Sequence, residues 1–124
     1  MNEHITLNNH HQLPCVLTNA KVVLTSANDI IPLRHNVLRH GFPVEEVMFD
    51  EDNLSNTLHY AIIEKESVIA CVSLIESSWN NNPAWRLRAM AVEQQYRSMG
   101  AGKALLSAAL DDLIKIKMIK PIWC

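Results

Sequence analysis

Near residue 100 the hydrophobic pattern changes from strand-like alternation to a helical repeat, and Gly100 and Gly102 stand at the change. On the strand side, residues 85–92 place Trp85, Leu87, Ala89 and Ala91 on one face and Arg86, Arg88, Met90 and Val92 on the other. Arginines on such a strand need an acidic partner across the sheet or an acidic substrate group to hold. On the helix side, residues 101–118 gather Leu105, Leu106, Ala109, Leu110, Leu113 and Ile116 into an apolar face. Lys103, Ser107, Asp111 and Lys115 form a polar stripe opposite, with Asp111 and Lys115 in the favourable i, i+4 order. Glycines placed where a strand gives way to a helix let backbone amides converge on an anion at the positive end of the helix dipole. The segment Arg97-Ser98-Met99-Gly100-Ala101-Gly102-Lys103 therefore reads as a phosphate cradle. It is not a P-loop, because a single residue separates the two glycines and Ala104 follows Lys103 where Ser or Thr is needed. A dinucleotide fingerprint fails as well, since Leu105 stands where a third small residue belongs.

The rest of the chain supplies a domain around this segment. With 124 residues, 48% of them hydrophobic and 19% charged, the chain can bury a core of its own and is not a disordered segment. Residues 1–20, rich in Asn and His, are expected to be an irregular leader, and residues 21–124 a single domain. Residues 21–25 have the β-branched character of a strand, and Ser26, Asn28 and Asp29 supply N-cap chemistry for a helix. Ile30, Ile31, Leu33, Val37 and Leu38 give that helix its apolar face, Pro32 is expected in its first turn, and Gly41 stops it. Residues 41–56 read as a long acidic loop with a helical turn around 44–49. Residues 57–64 and 68–76 form a hairpin through Lys65-Glu66-Ser67. Asn80, Asn81, Asn82 and Pro83 read as an open loop, and residues 120–124 as the opening of another strand.

Several function classes are excluded by the same residues. Cys15, Cys71 and Cys124 lack C-x-x-C spacing, so they read as reduced thiols, with Cys71 a buried inert one, rather than as disulfide or zinc ligands. The six histidines do not share a helical face with a carboxylate at ligand spacing, and no metal is expected. No apolar run is long enough to span a membrane and the first 20 residues do not read as a secretory signal, so the cytoplasm is the expected compartment. No basic stripe interleaved with aromatics marks a nucleic-acid interface. The net charge of −2 conceals a split: residues 1–62 carry three basic and seven acidic groups, residues 63–124 eight and six. The split suits an anionic ligand in the second half and a cationic substrate group near the first, or simply two solvated faces.

The spacing Arg97-x-x-Gly100-x-Gly102 after Met90-Ala91-Val92 resembles motif A of the GCN5-related N-acetyltransferases, the GNAT family. Val37-Leu38-Arg39 with Gly41 and Pro43, then Phe49, Asp52, His59 and the run Leu87-Arg88-Ala89-Met90-Ala91-Val92, extend the resemblance over about residues 21–124. Trp123-Cys124 resembles the start of the strand that follows the family's long helix. The resemblance implies a mixed α/β acyl-CoA N-acyltransferase fold, a central mostly antiparallel sheet flanked by helices, here without its C-terminal part. It also implies direct transfer of an acetyl group from acetyl-CoA to an amine of a small molecule or protein. The amides of Ser98, Met99, Gly100, Ala101, Gly102 and Lys103 would then hold the pyrophosphate, with Arg97 and Lys103 adding charge. Met90, Ala91 and Val92 would offer backbone groups to the pantetheine arm and polarise the thioester carbonyl.

Such transfer needs a base for the ammonium proton and an acid for the departing thiolate. The candidate bases are His59, which otherwise reads as a hydrogen-bonded core histidine, and Glu76 and Glu93, which otherwise read as solvated strand ends. Tyr96 lies beside the phosphate loop, far along the chain from the thioester. The family's next helix, often the carrier of a tyrosine acid, and its further strands have no counterpart in this sequence. The alternative reading is therefore a catalytically inactive domain of this fold, acting as a CoA-binding or dimerisation module. An edge strand at residues 122–124 beside an open cofactor groove leads to the expectation of a homodimer.

Overall fold

The computed structural model describes residues 4–5 and 20–124. Its strands are β1 (His4–Ile5), β2 (Lys21–Thr25), β3 (Leu58–Glu64), β4 (Ser67–Trp79), β5 (Asn82–Val92) and β6 (Ile122–Trp123). Helix α1 (Ala27–Leu38) follows β2 and helix α2 (Ala101–Lys115) follows β5. The six strands form one sheet in chain order; neighbours are antiparallel except β5 and β6, which are parallel. The expected leader falls largely outside the described residues, as do His10, His11 and Cys15; within it, His4 and Ile5 pair with Val23 and Val22.

The two helices cover opposite faces of the sheet. On one face Tyr60, Ile62, Val72, Leu74 and Trp85 pack against Ala101, Leu105, Ala109 and Leu113 of α2. On the other, Val23, Ala61, Cys71 and Ala91 pack against Ile30 and Leu33 of α1. Each fully buried large side chain contributes about 1.5–3 kcal/mol, so both helices are held by apolar burial before any polar contact is counted. Ile116, expected on the apolar face of α2, is exposed because the helix ends at Lys115.

Turn chemistry sets the strand register. Lys65 and Glu66 adopt φ of 48° and 69°, the doubly left-handed geometry of a two-residue hairpin turn. Asn80 and Asn81 do the same at 51° and 64°, so β4 and β5 are joined tightly where an open loop is expected from the sequence. Asparagine tolerates this region, and Asn82 and Pro83 are thereby released into β5. Pro32 lies inside α1 rather than in its first turn, because the helix starts at Ala27. Ser26 occupies the N-cap without a side-chain cap bond; instead the Asp29 carboxylate accepts from the hydroxyls of Thr25 and Ser26. Residues 41–56 contain two 3-10 turns, Val44–Val47 and Asp50–Asn53.

Candidate active site

Strand β5 does not keep its alternation. Arg88 pairs with Ser73 and Ala91 with Cys71, so Ala89 and Met90 together face the single residue Val72. This is a β-bulge, and Ala89 adopts φ of 55° to make it, a left-handed conformation that costs an alanine about 1–2 kcal/mol. The face assignment expected for residues 85–92 is corrected accordingly. Leu87, Met90 and Val92 all join Trp85 on the α2 face, whereas Ala91 turns to the α1 side. The extra residue shifts the phase of every side chain after it.

Strand β6 pairs with β5 at Trp85–Ile122 and Arg86–Trp123. Beyond Arg86, among the described residues, no strand adjoins β5 on that side. Backbone groups of an unpaired strand edge are available to an extended ligand.

Strand β5 leads through a 3-10 turn (Gln94–Tyr96) to the start of α2. Ser98 and Gly100 are left-handed, at φ of 64° and 81°, and a Cβ on Gly100 would meet nothing within 4 Å, so the backbone conformation rather than space calls for glycine there. The first i to i−4 bond of α2 runs from the Ala104 amide to the Gly100 carbonyl at 2.9 Å. The amides of Ala101, Gly102 and Lys103 precede it, and the turn holds neither a side-chain cap nor an acidic residue. Arg97 Nε donates to the Val92 carbonyl at 3.1 Å, tying the loop to the end of β5. Gly102 faces β5 at the bulge: a Cβ there would lie 2.9 Å from Met90 Sδ, so the methionine side chain would have to shift to admit one. Of the residues expected to hold the donor, Met90 and Gly102 lie against each other and Arg97 is tied to Val92, whereas Ala91 turns to the α1 side and Ala101 is buried. Tyr96 donates its hydroxyl to the Glu64 carboxylate at the end of β3, a bond that raises its pKa.

On the α1 side of the bulge lies a cavity of about 400 Å³, lined by Leu38, Arg39, Glu46, Val47, Phe49, Arg88, Ala89 and Met90. Its outer wall is fixed from within. Arg34, fully buried in α1, donates from Nη1 to the Val47 carbonyl at 2.9 Å and to Asp52 Oδ2 at 2.8 Å. Its Nη2 donates to Asp52 Oδ1 at 2.9 Å and to Ser73 Oγ at 2.8 Å. Asp52 Oδ2 also accepts the Phe49 amide at 2.9 Å. Burial alone would raise the Asp52 carboxyl, but the bonds from Arg34 and Phe49 outweigh it and hold the pKa below the ordinary value. Arg34 on the otherwise apolar face of α1 was the available sequence signal for this network; Ser73 offered none.

The three candidate bases are not brought together. His59 is 3% exposed, with Nδ1 2.6 Å from Ser73 Oγ and Nε2 2.8 Å from the Asp52 carbonyl. A carbonyl can only accept, so Nε2 carries a proton; Ser73, which accepts from Arg34, has its own hydroxyl proton to give Nδ1, and the lowered pKa favours this neutral ring. Burial lowers its pKa, and the neighbouring Arg34 charge acts in the same direction. This is the core histidine the sequence also allowed. Glu76 lies opposite Trp85 and is ion-paired with Lys120. Glu93 lines a separate groove with Asp29, Leu33, Asn36 and Val68. The carboxylate that lines the cavity is Glu46, which was not singled out from the sequence. Cys71 lies under the bulge, and burial pushes its thiol up to about 11, as expected of an inert cysteine. Among the described residues no three His, Cys, Asp or Glu side chains gather at a metal-binding distance, and no helix is long and apolar enough to cross a membrane.

Residues 29–124 match the family model described as Acetyltransferase (GNAT) family. The chain belongs to this family. The GNAT chain is 27% identical over 107 residues to the uncharacterized N-acetyltransferase YitI of Bacillus subtilis (strain 168), covering 84% of this chain and 71% of the relative. Among solved structures, an aminoglycoside acetyltransferase from an uncultured soil metagenomic sample superposes with a TM-score of 0.63 at 15% identity, over 86% of this chain and 77% of that one. A ribosomal-protein-alanine N-acetyltransferase from Brucella melitensis biovar Abortus 2308 gives 0.62 at 14% identity, over 85% and 79%. At these identities the structural likeness shows the fold, and the family match makes the chain an acyl-CoA-dependent N-acetyltransferase.

Proposed function

We propose that this GNAT domain transfers an acetyl group from acetyl-CoA to an amine seated in the cavity between α1 and the bulge. The observation that carries the reading is one juxtaposition: the bare first turn of α2 and the cavity meet at Met90, which lies against Gly102 and lines the cavity beside Ala89. The amides of Ala101, Gly102 and Lys103, with the side chains of Arg97 and Lys103, bind the pyrophosphate. The free edge of β5 after the bulge orients the acyl arm so that its carbonyl faces the cavity. When bound, acetyl-CoA supplies the acetyl group and a thiol leaving group. The amine nitrogen forms the new bond to the acetyl carbon as the carbon–sulfur bond breaks. Glu46 receives the proton the ammonium sheds before attack, and the second proton, lost from the nitrogen as the amide forms, passes through water to the departing thiolate.

Calorimetric titration of the 124-residue chain with acetyl-CoA, and with dephospho-CoA and ATP as comparisons, tests the donor assignment. Saturable binding of acetyl-CoA that ATP does not reproduce is expected, with thiol release when an amine is added. Binding no tighter than that of ATP would overturn it.

A further inference from the structure

Two arginines flank the Phe49 ring, and their surroundings differ completely. The Arg34 guanidinium lies 4.5 Å from the ring centroid with both η nitrogens hydrogen-bonded. The Arg88 guanidinium lies 3.8 Å from the same centroid, with its side chain 30% exposed. Among the described residues Arg88 is ion-paired with Glu51 at 4.0 Å, beyond direct hydrogen-bond distance. A ring engages the flat face of a guanidinium and leaves its N–H edge free. The expected acidic partner across the sheet is absent, since Arg88 stands opposite Ser73. Glu51 at 4.0 Å is a distant counter-charge, so the N–H edge of Arg88 is left open to a stronger acceptor in the cavity. Arg88 lines the cavity next to Ala89 and Met90, and Arg39 lies at its rim with Nη1 bonded to the Leu38 carbonyl and Nε 3.7 Å from Glu46.

We infer that the acceptor is an amine that also carries an oxyanion, a carboxylate or a phosphate, and that Arg88 holds this group while the ammonium faces Glu46. The inference rests on the acetyl-transfer reading for the identity of the amine as acceptor, but the anion site stands on Arg88 and the cavity. A guanidinium edge matches the paired oxygens of either anion. The same charges disfavour polycationic acceptors, which would place a second ammonium against Arg88 or Arg39.

The test compares twins that differ in the anion alone. The probes are O-phosphoethanolamine against ethanolamine, and a panel of α-amino acids against their amides, each titrated calorimetrically into the CoA-loaded chain and assayed as acetyl acceptors. At least one anionic member is expected to bind tenfold or more tightly than its neutral twin, and the pair that shows the effect tells phosphate from carboxylate. Arg88→Ala should erase the difference and Arg88→Lys restore part of it, with circular dichroism confirming the fold. If the alanine variant does not fold, the twin comparison on the unaltered chain still decides. Equal affinity within every pair, or a preference that survives Arg88→Ala, overturns the inference. Arg88-dependent anion binding in a chain that ignores acetyl-CoA would instead overturn the transferase reading and leave the anion site standing.

Discussion

The two helices treat their own charge in opposite ways. Helix α1 supplies its own acid: the Asp29 carboxylate sits in its first turn and accepts from Thr25 and Ser26, and further along Arg34 is locked to Asp52. Helix α2 begins with no cap and no acid, flanked by the exposed cations Arg97 and Lys103. A helix start provided with its own counter-charge is a structural joint, whereas one left bare among cations is where an outside anion belongs.

The strongest way to break the contrast is to disable the wiring of α1. Replacing Arg34 with Met leaves the Asp52 carboxylate buried without its partner, and urea denaturation should show a loss of about 3–5 kcal/mol. A loss below about 1 kcal/mol would show that the pair is not what anchors the cavity wall to α1. The next test makes α2 resemble α1. Lys103→Glu places an acid in its first turn at an exposed position, so acetyl-CoA affinity should fall about tenfold or more at low salt while the melting temperature holds or rises slightly. Lost stability with intact affinity would mean that the bare turn binds no anion. The reciprocal change, Asp29→Ala, should cost about 0.5–1 kcal/mol in thermal or chemical melts and leave acetyl-CoA affinity unaltered.

The smallest effect is a slope. The pKa of His59 is held below 6.5 in the fold, so as the pH drops the unfolded chain takes up a proton that the folded one refuses. Stability should therefore be full above about pH 7 and decline as the pH falls through the ordinary histidine range. Asp52, also held low, adds a further loss only in the carboxylate range below 3.8. Thermal melts of the unaltered chain and His59→Gln between about pH 5 and 8 should show the slope in the first and a flatter line in the second.

What the sequence revealed follows from the range of the forces involved. Strand β2, both helices, the Lys65–Glu66 turn and the glycine-bearing start of α2 are encoded within a few residues, and their patterns were readable there. The Asn80–Asn81 turn was misjudged because asparagine serves open loops and left-handed turns alike. The bulge left no local mark: Ala89 has no side-chain preference for its conformation, and only pairing with Val72 in the neighbouring strand β4 defines it. Arg34, Asp52, Ser73 and His59 come from four separate elements, so their network exists only after the chain closes. The same limit applies to the cavity. Arg88 could be noticed as an odd residue for a strand, but Glu46 and Phe49 reach it from a loop whose path no periodicity describes.

The narrow junction of β5 and β6 also has a thermodynamic consequence. These strands meet at Trp85–Ile122 and Arg86–Trp123, and a ligand that paired with β5 beyond Arg86 would extend the sheet there. Whatever binds there binds the folded chain and not the unfolded one. At a hundred times its dissociation constant it adds about 2.7 kcal/mol to stability through mass action. The heat resistance of this protein is then a property of the solution as much as of the sequence, and a melting curve becomes an assay for the occupant.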